Sequence, residues 1–170
     1  MKKIIFIFMA VAALIFTGCA FRVSYTLSGA SIPVDAKTFS VAYFPNNATM
    51  VAPILSSTLT DELKNIYLSR TSLTEVSYGG DFAFEGEITN YTSTTSSVSS
   101  GDYALLNRLT ITVKVRFTNL IDDTKSFNKS FSAYEDYPST SLLTEVEDTL
   151  IPELVDQIVL DIFQASASDW

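Results

Sequence analysis

The sequence predicts an α+β fold, with two amphipathic helices packed on one face of a mostly antiparallel, four- to five-stranded sheet. Three observations carry that expectation. Apolar residues recur at spacings of three and four in two stretches, about 52–69 and from Leu143 to Phe163, which is the period of a helix with one buried face. Apolar and polar residues alternate at 38–43, 82–89 and 108–118, which is the period of a strand with one side in a core. Each element therefore offers a single apolar side, and a layer of helices over one face of a sheet buries all of them together.

The first element is a leader. Lys2-Lys3 is a basic start, and Ile4 to Phe16 is apolar and uncharged. That run is shorter than the roughly 20 residues a helix needs to cross a bilayer, so residues 1–18 read as an export signal peptide. It closes on Phe16-Thr17-Gly18-Cys19. This is similar to the bacterial lipobox, a bulky apolar residue and two small ones before Cys, with Phe16 where Leu is usual. Cys19 is then the lipid-bearing first residue of the mature protein. The competing reading is a signal-anchored protein with an incidental Cys. Acyl chains on Cys19 would contribute about 0.8 kcal/mol per buried CH₂, enough for a stable anchor with two chains or more. Ala20 carries no charge, and no acidic residue lies near. By analogy with lipoprotein sorting signals, that favours the periplasmic side of the outer membrane.

Residues 19–36 read as the lipidated tether leading into the fold, and 37–170 as a single α+β domain. Phe39, Val41 and Tyr43 alternate with Thr38, Ser40 and Ala42 as a first strand, ended by Pro45-Asn46-Asn47. The helix over about 52–69 has Pro53 in its first turn, and its stripe runs through Leu55, Leu59, Leu63 and Tyr67. A short strand is expected over 73–78, then a turn at Gly79-Gly80. In the next strand Phe82, Phe84, Gly86 and Ile88 face the core, with Glu85 and Glu87 outward. The Ser/Thr-rich run 92–101 reads as a polar loop or hairpin extension. Leu109, Ile111, Val113, Val115 and Phe117 set the core side of the following strand, and Arg108, Lys114 and Arg116 its polar side. After a turn at Asp122-Asp123, Phe127, Phe131 and Ala133 mark a partner strand. Lys129 falls on their side, which requires an edge position or a stem reaching solvent. In the last helix Pro152 marks either a kink or the start of a second helix.

Charge and composition narrow the function. The chain has 11 basic and 19 acidic residues; without Lys2 and Lys3 the balance is 9 against 19, a formal charge of −10. That opposes nucleic-acid binding, which needs clustered Lys and Arg to neutralise phosphates. There is no His, which removes the usual base of a serine triad and the commonest transition-metal ligand. No EF-hand spacing and no phosphate-binding Gly-rich loop appears, so neither a catalytic residue, a metal ligand nor a cofactor site is expected. The carboxylate pair Glu85 and Glu87 shares one strand face and would be the strongest basis for a hydrolase; a Ser–Lys pair is formally open but has no motif behind it. As surface charge Glu85 and Glu87 pair with the cations beside them. The N-x-S/T triplets at Asn47, Asn90 and Asn128 carry no meaning in a bacterial lipoprotein. Arg108, Lys114 and Arg116, three cations on one strand face, are the candidates for contact with lipopolysaccharide or a partner. Their bland reading is an outer face paired with Glu85 and Glu87.

The order of segments resembles the LptE-like lipopolysaccharide-assembly lipoprotein family, in its Bacteroidetes form. The resemblance rests on Cys19, Ser31 to Asp35, Phe44-Pro45-Asn46-Asn47, Gly79-Gly80-Asp81-Phe82, Phe84 to Thr89, Leu106 to Val113 and a C-terminal helix ending in Trp170. It covers nearly the whole mature chain. It implies a non-enzymatic protein in a one-to-one complex with a large outer-membrane β-barrel of the LptD type, the lipopolysaccharide translocon, which it plugs and helps to assemble. It also implies contact with lipopolysaccharide through basic residues. The competing reading from another class is an accessory lipoprotein of a different envelope machine, for barrel assembly or secretion.

Overall fold

The computed structural model describes residues 32–96 and 105–167. The expected signal peptide, Cys19, most of the expected tether, the second half of the Ser/Thr-rich run and Trp170 lie outside them.

The elements are β1 (Thr38–Val41), α1 (Leu55–Arg70), β2 (Thr74–Glu75), β3 (Phe82–Ser96), β4 (Leu106–Asn119), a 3₁₀ turn (Asp123–Lys125), β5 (Phe127–Pro138) and α2 (Leu143–Ala167). The sheet runs β2-β1-β3-β4-β5. The three long strands pair antiparallel, and β1 is parallel to both β2 and β3. This is the expected α+β arrangement, with the parallel pairs confined to one end. The parallel link from β1 to β2 runs through α1, as a parallel crossover requires.

Both helices lie on the face built from Phe39, Phe82, Phe84, Ile88, Leu109, Ile111, Val113, Val115 and Phe117, each 1% exposed or less. Helix α1 buries Leu55, Leu59, Leu63 and Tyr67 at i, i+4 spacing. Tyr67 stands at the centre. Its ring lies 4.9 Å from Phe84, 5.2 Å from Phe163 and 5.4 Å from Phe39, and its hydroxyl bonds Ser166 across the helix pair.

The structure revises three local expectations. Helix α1 starts at Leu55, and Pro53 lies before its N-cap residue Ile54, in a turn closed by the Leu55 N–H on the Ala52 carbonyl. The strand expected over 73–78 shrinks to Thr74–Glu75. Tyr43 leaves the core alternation and is 64% exposed, while Phe44 is wholly buried. The cause is local: regular strand geometry stops at Val41, parity slips, and the Phe44 ring fills the space left by Gly86. A Cβ on Gly86 would stand 2.6 Å from that ring and 2.2 Å from the Lys114 carbonyl. The sequence leaves Pro152 open between a kink and the start of a second helix; it does not start a second helix, because it lies inside α2, one helix of 25 residues. Pro152 and Asp148 are both exposed, so water can take the Asp148 carbonyl that has lost its N–H partner.

Strand β3 contains a bulge between Ile88 and Asn90. The extra residue, Thr89, shifts the alternation, so Tyr91 rejoins the core side. Beyond the bulge the strand continues through Ser96, paired with β4. The first half of the Ser/Thr-rich run is therefore a hairpin extension. Lys129 sits on the edge strand β5, exposed, with its ammonium 5.1 Å from the Phe127 ring centre.

Candidate partner-binding face

The helices leave the other face of the sheet uncovered, and the three candidate cations Arg108, Lys114 and Arg116 lie on it. The pleat decides this: with Leu109 through Phe117 buried, Arg108, Lys114 and Arg116 must point the other way. Register then assigns their neighbours. Arg116 stands opposite Glu85 and forms an ion pair with it. Lys114 stands between Glu87 on β3 and Ser130 on β5. Glu87 itself accepts a bond of 2.6 Å from the Asn47 side-chain amide.

Arg108 belongs to a different cluster. Its guanidinium donates to both oxygens of Asp136, at 2.7 and 2.9 Å, and lies 3.9 Å from the Tyr134 ring centre. Fork-on-carboxylate geometry with an aromatic plane beneath fixes both the charge and the orientation of the side chain. The bond to Arg108 holds the Asp136 carboxyl below the usual range, and the same bond holds the guanidinium proton more tightly. Lys114 lies six positions after Arg108 along β4, or about 20 Å away. The three cations share a face but do not converge.

Lys114 and Arg116 border an open groove of about 470 Å³, together with Tyr43, Pro45, Glu85, Glu87 and Asn128. Two cations meet two carboxylates there, so the groove is locally neutral and rich in donors and acceptors. Such a surface suits another polar protein surface better than a dense phosphate cluster. The sequence pointed to Lys114, Arg116, Glu85 and Glu87. It missed Tyr43, because the period-2 reading placed it inward, and Asn128, because the register of β5 depends on the turn before it. The Asp136–Tyr134 seat of Arg108 was missed for the same reason, since the partner strand was read only as far as Ala133.

Other carboxylates have structural duties. Asp122 accepts the Thr124 N–H and closes the 3₁₀ turn. Glu145 accepts the Leu142 N–H at the start of α2, and Glu147 takes the Tyr91 hydroxyl. Burial, and then this contact with Glu147, raise the Tyr91 phenol above its ordinary range. Among the described residues, no group of three or more acidic or Cys side chains is placed to share a metal ion. No helix among them is long and apolar enough to cross a membrane.

Comparison with known proteins adds the following. The family model for LptE, described as lipopolysaccharide-assembly, matches residues 36–166. Among solved structures, the chain is similar to lipoprotein B of Nitrosomonas europaea, at 13% identity and a TM-score of 0.54, covering 86% of this chain and 90% of that one. It is also similar to a hypothetical protein of Chlamydia trachomatis, at 10% identity and a TM-score of 0.52, covering 77% and 98%. At these identities the likeness is one of fold. No curated protein sequence matches the chain.

Proposed function

The chain belongs to the LptE lipopolysaccharide-assembly family, and from that premise we propose that it is a non-enzymatic, lipid-anchored outer-membrane protein that plugs a β-barrel lipopolysaccharide translocon. Cys19 carries the anchor, on the periplasmic side. The partner is a single large barrel of the LptD type, bound one to one, and the complex inserts lipopolysaccharide into the outer leaflet.

The observation that carries this reading is the family match across almost all of the described fold. The character of the uncovered sheet face supports it. Thr110, Thr112, Lys114, Arg116, Asn128, Ser130 and Ser132 give that face a polar surface, and barrel lumens are polar. Lys114 and Arg116, with Arg108 further along the strand, are the residues assigned to contact with the barrel or with passing lipopolysaccharide. The balanced charge of the groove favours the barrel wall.

The test is a mild-detergent pull-down from outer membranes with a tag after Trp170, followed by mass spectrometry. One large β-barrel in equal amount is the expected result. A set of secretion or barrel-assembly proteins in its place would refute the translocon role and leave the fold serving another machine. Replacing Cys19 with Ala should leave an unacylated precursor, detected as a mass lacking the acyl groups.

A further inference from the structure

One end of the molecule carries exposed apolar side chains that the proposed barrel contact does not use. Hydrogen bonds tie that end together. The Asp81 carboxylate accepts the backbone N–H groups of Lys37 and Thr38, at 2.8 and 2.9 Å, and the Asp81 carbonyl accepts the Leu120 N–H at 2.9 Å. The Lys37 ammonium donates to the Val34 carbonyl at 2.5 Å. Tyr78 lies three residues before Asp81, beside Gly79, whose φ of +69° makes the turn. The base so assembled exposes Val34 (84%), Tyr78 (89%), Leu120 (63%) and Ile121 (40%). It is also where the chain enters the fold. Ile32 lies only 13 positions after Cys19, a reach of at most about 45 Å.

We propose that this base is a lipid-facing surface, which seats the anchored protein upright on a bilayer. The proposal rests on the reading of Cys19 as lipid-bearing. Leucine and isoleucine beside a tyrosine are the pairing that settles at the boundary of headgroups and acyl chains, because the ring keeps its hydroxyl in water while its body is buried. Charge selects the kind of surface. Around the base, Asp35, Asp81, Asp122 and Asp123 stand against Lys37, Arg70 and Lys125, so there is no cationic excess to seek anionic lipid. The surface that fits is zwitterionic phospholipid. From it β3 runs away for 15 residues, which carries Ser96 about 50 Å from the base. Before the partner arrives, the polar sheet face and the hairpin then stand clear of the membrane.

The experiment uses full-length lipidated protein in vesicles of phosphatidylcholine and phosphatidylethanolamine, with acyl-brominated lipid as a fluorescence quencher. Trp170 is the only tryptophan, so Trp170→Phe gives a silent background. Into it go Tyr78→Trp, Leu120→Trp and, at the opposite end, Leu142→Trp, all at exposed positions. The proposal expects at least two-fold quenching at positions 78 and 120 and none at 142, unchanged when phosphatidylglycerol is added. Protein that floats with the vesicles yet is quenched equally at all three positions, or at none, overturns it. Stronger quenching with phosphatidylglycerol overturns the zwitterionic assignment. Protein that does not float, with no acyl mass on Cys19, overturns the anchor and the proposal with it.

Discussion

Replacing Ser166 with Ala should destabilise the protein more than replacing Tyr67 with Phe, although both changes delete the same hydrogen bond. The two oxygens are not equivalent. The Ser166 hydroxyl donates to the Ile162 carbonyl at 2.6 Å, within its own helix, so in the shared bond the Tyr67 hydroxyl is the donor. Tyr67→Phe removes that donor and leaves Ser166 still bonded. The loss is then that of an ordinary hydrogen bond, about 0.5–1.5 kcal/mol. Ser166→Ala removes the acceptor and strands a phenol that is wholly buried among Phe39, Phe84 and Phe163. An orphaned buried donor costs about 1–3 kcal/mol, and alanine's better helix propensity returns no more than about 0.5. The double variant contains no orphan, so its cost should fall below the sum of the two single changes. Urea denaturation of the purified protein, followed by circular dichroism, measures this. With a slope of about 2 kcal/mol per molar, a difference of 1 kcal/mol moves the midpoint by about half a molar. A Tyr67→Phe variant that unfolds at the lower urea concentration of the two would refute the assignment of donor and acceptor.

Other consequences can be measured directly. Burial raises the Tyr67 phenol, and burial followed by the bond to Glu147 raises Tyr91, so both stay protonated in the folded state where an unfolded tyrosine, with its pKa near 10, would ionise. Stability should be complete below about pH 10 and fall above it by roughly 1.4 kcal/mol per pH unit for the wholly buried Tyr67, with a smaller contribution from Tyr91, whose hydroxyl meets Glu147 nearer the surface; denaturation at stepped alkaline pH reads the slope, and Tyr67→Phe should remove most of it. Gly86→Ala places its methyl against the Lys114 carbonyl and the Phe44 ring and should cost about 3 kcal/mol or prevent folding, seen as a large drop in thermal midpoint. Arg116→Ala breaks an ion pair whose side chains are 64% and 55% exposed and should shift stability by less than about 0.5 kcal/mol. If the barrel is nonetheless lost from the pull-down with Arg116→Ala, the cause is contact and not unfolding; a barrel retained at wild-type level would count against the contact assigned to Arg116.

The parts of the fold written in repeating patterns were legible, and the parts set by single residues were not. The stripe through Leu55, Leu59, Leu63 and Tyr67 and the alternation from Leu109 to Phe117 each repeat often enough that one exception does not blur them. At Tyr43 and Phe44 the pattern has only three terms, so a slip of one residue inverts the reading. At Thr89 a single inserted residue turns the strand over, and Tyr91 goes inward with nothing in the local sequence to announce it. Pro152 was ambiguous because its effect depends on whether water reaches the Asp148 carbonyl, which is a property of the packed molecule. For the candidate site, the face of β4 was readable from its pleat. Arg108 was grouped with Lys114 and Arg116 because a face is visible in one strand, whereas its seat on Asp136 depends on the register between two strands.

The bond between Tyr67 and Ser166 joins residues 99 positions apart, and this affects how the chain can be made. Synthesis delivers β1 and α1 first, but the apolar stripe of α1 finds its lid only when the last 25 helical residues arrive. Helix α1 and the Phe-rich side of the sheet must therefore wait, exposed and prone to associating with other chains. Losing even the final turn of α2 would take away Ser166 and much of the cover over Tyr67. A stop codon placed before Ser166 should therefore yield aggregates in place of a shorter working protein.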